Sequence, residues 1–554
     1  MKTILTFLAV VVSYYGHSQT QTKFVNNHLL VKIKASQYEQ APIDLAKNKL
    51  GIAKLDQLNE QLDIDHIEQI GQHVLTRTFL LIYKNQVNVD DIVKKYRDSD
   101  VLEYAEPNYI AQGGGEKMPF SASEMIPNDN RFNRQWGLYN PGTQTGIGTV
   151  TADADVDMEL AWDIQTGDPN MIIAISDSGL RMQHPDIASR VWSNPLEILN
   201  GIDDDGNGLI DDIRGWDWVN TDNNPTDDMG HGTNIAGIIG AVANNGSLFA
   251  GANWNSKLMI LKTLDVNNSA TYANMASSVY YAADHGAKVL SMSLGGSPSQ
   301  ILRDAAAYAN THNMIFVACM MNFNDSTPYY PAAYSTEFPN MIAVGSTNPN
   351  DRRTAPFFWS ATSGSNYGNH LNVVAPGNYT YNLDYLSDTN AGAYWGGTSQ
   401  ATPLVAAIAS LIWAQKPSLT PLQIRTILED TAQDQVGNPS EDVLGFDQYM
   451  GHGRVNAHAA LQATLAIKDF DATTIQEFQL INPSQSGLLQ IESKGQYPGE
   501  YKLVVTNADG KTFGTQKVKI KSGANAIPFD YPIGNYIITL ESANYTKIFK
   551  VIVQ

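Results

Sequence analysis

The sequence predicts an α/β fold built on a parallel sheet flanked by helices, preceded by a small α+β unit and followed by an all-β unit. Three observations carry that prediction. From about 127 to 466, continuous apolar segments at 171–175, Lys257–Lys262, Val289–Met292 and 314–318 alternate with helical stretches. Strands buried on both faces and separated by helices belong to parallel sheets. From 29 to about 112 the hydrophobic period switches repeatedly between that of a strand and that of a helix. Beyond about 469 helical spacing stops and short alternating segments take over.

Lys2, an apolar run over 4–12 and the small residues Gly16 and Ser18 form a tripartite export signal, with cleavage after Ser18. A buried N-terminal strand is the alternative reading. No other segment reaches about 18 apolar residues, so no transmembrane helix is expected. Cys319 is the only cysteine, which leaves no internal disulfide. An exported chain without disulfides needs other staples, and bound metal is one. The 56 acidic residues against 36 basic ones give a net charge of −20, which disfavours nucleic acid as a partner and favours cations as ligands.

Segments 29–34, 64–70, 76–83 and 101–110 are strand-like, whereas 53–62 and 89–97 have helical spacing. Their β-α-β-β-α-β order is that of a ferredoxin-like unit. Gly113-Gly114-Gly115 then marks an exposed break of the kind proteases cut. The expected domains are a signal at 1–18, an N-terminal unit with linker at 19–125, the α/β domain at 126–466 and a β-sandwich at 467–554. Turns at Asn507-Ala508-Asp509-Gly510 and Pro532-Ile533-Gly534 punctuate that last unit.

Three motifs carry chemistry. The strand at 171–175 runs into Asp177, and carboxyl ends of strands are where α/β sheets meet ligands. A turn or cap aspartate is the plainer reading of that residue alone. His231 in Asp228-Met-Gly-His-Gly-Thr opens a small-residue helix expected to reach about Ala243. The dipole at a helix start disfavours imidazolium, which suits a general base; a buried structural histidine is the alternative. Ser399 in Gly396-Gly-Thr-Ser-Gln-Ala-Thr-Pro403 opens an apolar helix through Trp413, with Thr398 expected to cap it. Such a hydroxyl is presented to solvent beside backbone N–H groups that hold an anion. A plain N-cap serine is its alternative. Together, an acid, a histidine and a serine are the set that acyl transfer needs.

On these motifs, in the order Asp, His, Ser, the sequence resembles the subtilase family of serine proteases. Asp177-Ser-Gly with His184-Pro-Asp-Ile187, Gly230-His-Gly-Thr233, Gly397-Thr-Ser-Gln-Ala-Thr-Pro403 and Gly451-His-Gly-Arg-Val-Asn-Ala457 all carry the resemblance. It implies a subtilisin-like fold over about 127–466, a secreted serine endopeptidase acting on protein or peptide substrates, and a catalytic triad of Asp177, His231 and Ser399. It also implies that Asn322 is the oxyanion-hole residue and that the Ser293-Leu294-Gly295-Gly296 segment binds extended peptide. Val101-Leu-Glu-Tyr-Ala-Glu-Pro-Asn-Tyr109 is similar to the end of the family's inhibitory propeptide, so removal between about 112 and 126 is implied.

The sequence departs from the family at three places. Met321, preceded by Met320, stands where glycine usually precedes the oxyanion asparagine, so the methionines are expected to narrow the neighbouring pocket or misplace Asn322. Ser291 and Asn234 replace a customary asparagine and histidine without removing a catalytic group. A catalytically impaired relative that binds peptide or protein at the cell surface is therefore the alternative function, and an adhesin-like surface protein is a third.

Between the aspartate and histidine motifs, Asp203, Asp205, Asn207 and Asp211 offer oxygens at positions one, three, five and nine of a loop, with Gly208 at six and the Leu209 carbonyl at seven. Arg214 occupies position twelve, so this is no complete EF-hand, and Asp212 is the candidate substitute for the missing ligand. Hard oxygen donors predict a structural Ca²⁺; a solvated acidic hairpin is the alternative. At the C-terminus, Asn482-Pro-Ser-Gln-Ser-Gly487, Pro532-Ile-Gly-Asn-Tyr536 and Lys550-Val-Ile-Val-Gln554 resemble type IX secretion sorting domains. That resemblance implies the type IX machinery as partner, passage through the outer membrane, and release or surface attachment. A glycan- or protein-binding sandwich is the alternative.

Overall fold

The computed structural model describes residues 24–37, 43–71, 77–85, 87–113, 116–117, 131–388, 392–466, 478–481, 487–493, 499–506, 512–521, 523–529, 531, 534–542 and 545–553. The chain divides into a unit ending at Ala466 and a second from Ile467. The expected signal segment lies outside the described residues, as do residues 507–511 and 532–533, where the two C-terminal turns were expected.

The chain opens with β1 (Phe24–Ile33), α1 (Ala53–Gln61), β2 (Ile64–Ile70), β3 (Thr78–Tyr83), α2 (Val89–Arg97) and β4 (Leu102–Gly113). The strands pair antiparallel in the order β4-β1-β3-β2. α2 buries Val89, Ile92, Val93 and Tyr96, the i, i+3, i+4, i+7 stripe of an amphipathic helix, in one core with Leu29, Val31, Phe79 and Leu81. β4 runs three residues past its expected end because Ile110–Gln112 pair with a later strand. Gly113 is therefore a paired strand residue; Gly114 and Gly115 of the expected break lie outside the described residues.

Next come β5 (Glu116–Lys117), α3 (Met158–Ala161), β6 (Ile172–Asp177), β7 (Gly215–Asp217), α4 (His231–Gly240), β8 (Lys257–Lys262), β9 (Ser269–Thr271), α5 (Tyr272–Asp284), β10 (Val289–Met292), β11 (Leu294–Gly295), α6 (Gln300–Thr311) and β12 (Ile315–Cys319). They are followed by β13 (Met341–Thr347), β14 (Val373–Pro376), β15 (Thr380–Asn382), β16 (Ala393–Gly396), α7 (Thr398–Gln415), α8 (Pro421–Asp430) and α9 (Ala457–Ala466). Seven strands form a parallel sheet in the order β14-β13-β12-β10-β6-β8-β7. α5 and α6 bury their apolar residues in one cluster with Ala174, Met259, Leu290 and Phe316 of that sheet. α7 is buried from Thr398 to Trp413, as its uninterrupted apolar sequence requires. β12, β10 and β6 are neighbours, so their carboxyl ends deliver three chain segments to one place.

The second unit holds β17 (Phe478–Ile481), β18 (Gly487–Ser493), β19 (Gly499–Thr506), β20 (Thr512–Ile520), β21 (Gly523–Phe529), β22 (Gly534–Ser542) and β23 (Tyr545–Val553). These make two antiparallel sheets, β17-β18-β21 and β20-β19-β22-β23. Leu489, Ile491 and Phe529 of the first share a core with Leu503, Val505, Ile538 and Leu540 of the second. No helix among the described residues is long and apolar enough to cross a membrane.

Candidate active site

Asp177 closes β6 and His231 opens α4, 54 positions later; Asp177 Oδ1 accepts from His231 Nδ1 at 2.7 Å and from the Ser178 N–H at 2.8 Å. Both side chains are buried. Asp177 Oδ2 is buried without a hydrogen-bond partner, so the imidazole and one amide are the carboxylate's donors. The Trp395 ring meets the imidazole edge-on, 5.5 Å between centroids.

The turn before α4 is organised by Asp227, which sequence reasoning missed. Its carboxylate accepts from the N–H groups of Met229, Gly230 and Thr233 and from the hydroxyls of Ser178 and Thr233. An aspartate four residues ahead of a helix-opening histidine was the available signal. Gly230 sits at φ +107, and a β-carbon there would strike the Tyr385 ring. Lys262, also missed, is buried beside Asp177 in the sheet register and donates to the Ser178 and Leu264 carbonyls and to Asp228. α4 ends at Gly240, earlier than expected, because the Val242 N–H turns away to the Asp186 carbonyl.

Ser399 is the second residue of α7 and is 0% exposed. It is not presented to solvent as expected. Thr398 does not cap the helix either. Its N–H and hydroxyl both donate to Asn322 Oδ1, at 2.8 and 3.0 Å. That fixes the Asn322 carboxamide by its oxygen and leaves its NH₂ to donate. The Ser399 hydroxyl donates to the Ser293 carbonyl, and the Ser293 hydroxyl donates to the Ser399 carbonyl.

Met321 takes φ +74, a left-handed conformation that costs a residue bearing a β-carbon. Neighbouring bonds hold it there: the Asn366 N–H donates to the Met321 carbonyl and the Gly364 N–H to the Asn322 carbonyl, both at 3.0 Å. Asn322 beside it is anchored through its oxygen on Thr398. Cys319 is buried near this segment; burial pushes its thiol up to about 11, so it stays protonated.

Leu294 and Gly295 pair antiparallel with Gly113 and Gln112 of β4, and Ser269–Thr271 pair with its residues 110–112. Glu116 and Lys117 pair in turn with Gly396 and Trp395. The N-terminal unit also completes two helix starts in the α/β domain. Glu106 accepts from the Ser299 hydroxyl and from the N–H groups of Gln300 and Ile301 at the head of α6. Asn108 Oδ1 accepts from the Ala273 N–H in the first turn of α5.

The acidic loop brings together only part of its expected ligand set. Carboxylate oxygens of Asp203 and Asp205 lie within 4.8 Å of one another and of Glu197, which the sequence reading missed. Glu197 Oε1 accepts from the Asp204 and Asp205 N–H groups, while Oε2 is buried without a partner. An orphaned carboxylate oxygen beside two more carboxylates fits a hard divalent cation. Asn207 Oδ1 takes the Leu209 N–H. Asp211 is not in that group, and its carboxylate accepts from the N–H groups of Asn200 and Gly201. Asp212 is satisfied by Asn194, Asn207 and the Tyr281 hydroxyl.

A parallel α/β sheet with a buried Asp–His pair at one strand end and a serine in the first turn of a facing helix defines a subtilisin-like hydrolase architecture. Comparison with known proteins agrees. Residues 168–453 match the subtilase family. A thermophilic serine proteinase of Bacillus sp. (strain AK1) is 33% identical over 377 residues, covering 68% of this chain and 76% of the relative. Thermitase of Thermoactinomyces vulgaris is 37% identical over 303 residues, covering 54% of this chain and 92% of the relative. The crystal structure of fervidolysin from Fervidobacterium pennivorans, described as a keratinolytic enzyme related to subtilisin, superposes with a TM-score of 0.55 at 20% identity, covering 93% of this chain and 71% of that one. The chain belongs to the subtilase family. It is a serine-type endopeptidase, a hydrolase whose substrates are peptides or proteins.

Proposed function

We propose that Asp177, His231 and Ser399 are the catalytic triad of this peptidase, and that Asn322 and the Ser399 N–H form its oxyanion hole. The 2.7 Å bond from His231 Nδ1 to Asp177 carries the reading. It holds the imidazole in the tautomer whose Nε2 can take a proton. Ser399 Oγ, once turned from the Ser293 carbonyl to the imidazole, attacks the peptide carbonyl carbon as its proton passes to His231. Asn322 donates to the developing oxyanion, and Asp177 stabilises the imidazolium. His231 then protonates the leaving amine, and water hydrolyses the acyl ester by the reverse proton route. Ser293–Gly296 receives the substrate as an added strand.

Residues 19–125 act as a ferredoxin-like inhibitory propeptide. The β4-β1-β3-β2 order, the strand laid on Leu294–Gly295 and the helix starts completed by Glu106 and Asn108 support this. Residues 467–554 serve as a β-sandwich sorting domain for type IX export to the cell surface or medium, after removal of the 1–18 signal. The sequence resemblance and the two sheets sharing one core support that part. Glu197, Asp203 and Asp205 would hold a Ca²⁺, which would supply charge neutralisation and rigidity to the loop and take no part in the chemistry.

Expression of the wild type beside Ser399→Ala tests the enzyme assignment. The wild type is expected to shed its N-terminal unit and cleave casein, and Ser399→Ala to do neither. A variant that still matures and cleaves would remove Ser399 from the mechanism.

A further inference from the structure

We infer that the Lys262–Asp228 charge pair sets the proton affinity of His231, Lys262 offsetting the carboxylates around the imidazole so that it rests as a neutral base. Lys262 acts through His231 and is a positioning residue. The inference rests on the triad reading above and deepens it by naming what tunes its base.

Lys262 is 0% exposed, a rare place for an ammonium. It ends β8 and lies opposite Asp177, the end of β6, in the sheet register. Its three acceptors span the junction between the acid and the base. The Ser178 carbonyl, at 2.9 Å, belongs to the residue after Asp177. The Leu264 carbonyl, at 3.0 Å, belongs to a residue whose own N–H donates to the Asp177 carbonyl. Asp228 Oδ1, at 2.8 Å, belongs to the turn three residues before His231. The Asp228 side chain is half-exposed, so the pair runs from the interior to the surface.

Charged groups face His231 from the elements packed around it. β6 brings Asp177, bonded to Nδ1. The turn before α4 brings Asp227 and Asp228. Burial pushes the Asp227 carboxyl up, and five donors oppose that shift. The segment after β15 brings Asp384, Tyr385 and Asp388. Burial first, then the carboxylates of Asp227, Asp384 and Asp228, push the Tyr385 hydroxyl up. Asp388 is paired with Arg181, and burial lowers the proton affinity of His184 beside them. β12 ends in Cys319, whose thiol stays protonated. With Arg181 matched by Asp388, Lys262 is the cation among these groups that stands against Asp177, Asp227, Asp228 and Asp384.

An imidazole ringed by carboxylates alone holds its proton too tightly to work as a general base. A cation fixed behind Asp177 and Asp228 disfavours the imidazolium and releases that hold. Mutual attraction with Asp228 and two carbonyl bonds keep the ammonium in place without bringing it into contact with substrate.

The pH dependence of kcat/KM on an uncharged peptide tests the inference in the wild type, Lys262→Met, Asp228→Asn and the double variant. Lys262→Met removes the cation, so the imidazolium is less disfavoured and the acid limb should move up by about half a unit or more. Asp228→Asn removes a carboxylate and should move the limb down. With both charges gone, the double variant should return close to the wild type, which the loss of a purely mechanical tie would not do. For a variant that cuts too slowly to assay, titration of the His231 ring protons by NMR in the Ser399→Ala chain gives the same comparison. If Lys262→Met does not fold, Asp228→Asn decides alone, since its carboxylate is half-exposed. Limbs that stay in place or move in the opposite directions overturn the inference and leave the triad standing, as does a double variant displaced as far as Lys262→Met. A wild type that cuts no peptide defeats both.

Discussion

Ser293 and Ser399 exchange hydrogen bonds: the Ser293 hydroxyl donates to the Ser399 carbonyl at 2.9 Å, and the Ser399 hydroxyl donates to the Ser293 carbonyl at 3.1 Å. The pair joins the residue after β10 to the first turn of α7, the two segments proposed to receive peptide and to supply the nucleophile. Under the proposed mechanism the Ser399 hydroxyl must leave the Ser293 carbonyl before it can bond His231.

Ser293→Ala removes one of the two bonds and leaves the main-chain carbonyl in place. A neutral hydrogen bond contributes about 1 kcal/mol, so kcat should fall by about fivefold with little change in KM. Steady-state kinetics on one peptide substrate measure it. A loss of about a thousandfold would mean that the Ser293 hydroxyl takes part in the chemistry itself.

The anchoring bonds of Asn322 and its proposed oxyanion role are separable by substitution. Its oxygen anchors Thr398, and its NH₂ is left for the oxyanion. Asn322→Asp keeps an acceptor for Thr398 but loses the donor, so kcat should drop about 10²–10³-fold in a protein that still folds. Asn322→Ala should lose a similar factor in kcat and also lower the melting temperature, because a buried N–H loses its acceptor. Equal melting of both variants would place Thr398's anchorage elsewhere.

Asp177→Asn preserves shape and reverses the demand on His231 Nδ1. The imidazole would have to accept from the amide or lose the bond, leaving Nε2 in the wrong protonation state. A fall in kcat of about 10⁴-fold is expected, with KM changed far less. A loss below tenfold would remove Asp177 from the triad.

The sheet, its order of elements and the three chemical motifs were legible in the sequence because each is a local pattern. Apolar strands announce burial on both faces, and a helix-opening serine or histidine lies next to its own signal. Asp227 was signalled by its place four residues ahead of His231 and was missed, whereas Lys262 and Glu197 were not legible, since each acts on atoms distant in sequence or in a loop whose folding the spacing does not encode. Asp211 shows what loop counting leaves out: a match at position nine does not reveal that Asn200 and Gly201 turn their N–H groups toward it. The burial of Ser399 was hidden too, because its place at a helix start does not say what the rest of the fold packs around it. Met321 reads in the sequence as a departure from the family pattern, but nothing there tells that the Asn322 oxygen is bonded to Thr398.

Glu106 reaches from the N-terminal unit to the head of α6, where three donors converge on its buried carboxylate. Its loss strands two helix-start N–H groups and a hydroxyl beneath the interface. In the uncut Ser399→Ala chain, Glu106→Ala should cost about 1–3 kcal/mol. It should also speed hydrogen exchange at Gln300 and Ile301 more than in the middle of α6. Uniform exchange across the helix would indicate that the unit is held by its strand pairings alone.

Glu197 offers the sharpest test of the metal reading, because Asp203 and Asp205 also accept backbone N–H groups within their loop whereas Glu197 Oε2 has no partner. Ca²⁺ at about a hundred times its dissociation constant would stabilise the folded chain by about 2.7 kcal/mol. Melting of the Ser399→Ala chain, which cannot digest itself, should therefore shift upward with Ca²⁺ and downward with chelator. Glu197→Gln should melt at one temperature under both conditions. Asp211→Asn should melt lower under both while keeping the difference, since its carboxylate holds the turn at Asn200–Gly201 and not the ion. A wild-type loop whose melting ignores chelator would leave the Glu197 oxygen as an uncompensated buried acceptor, and the calcium assignment would fall.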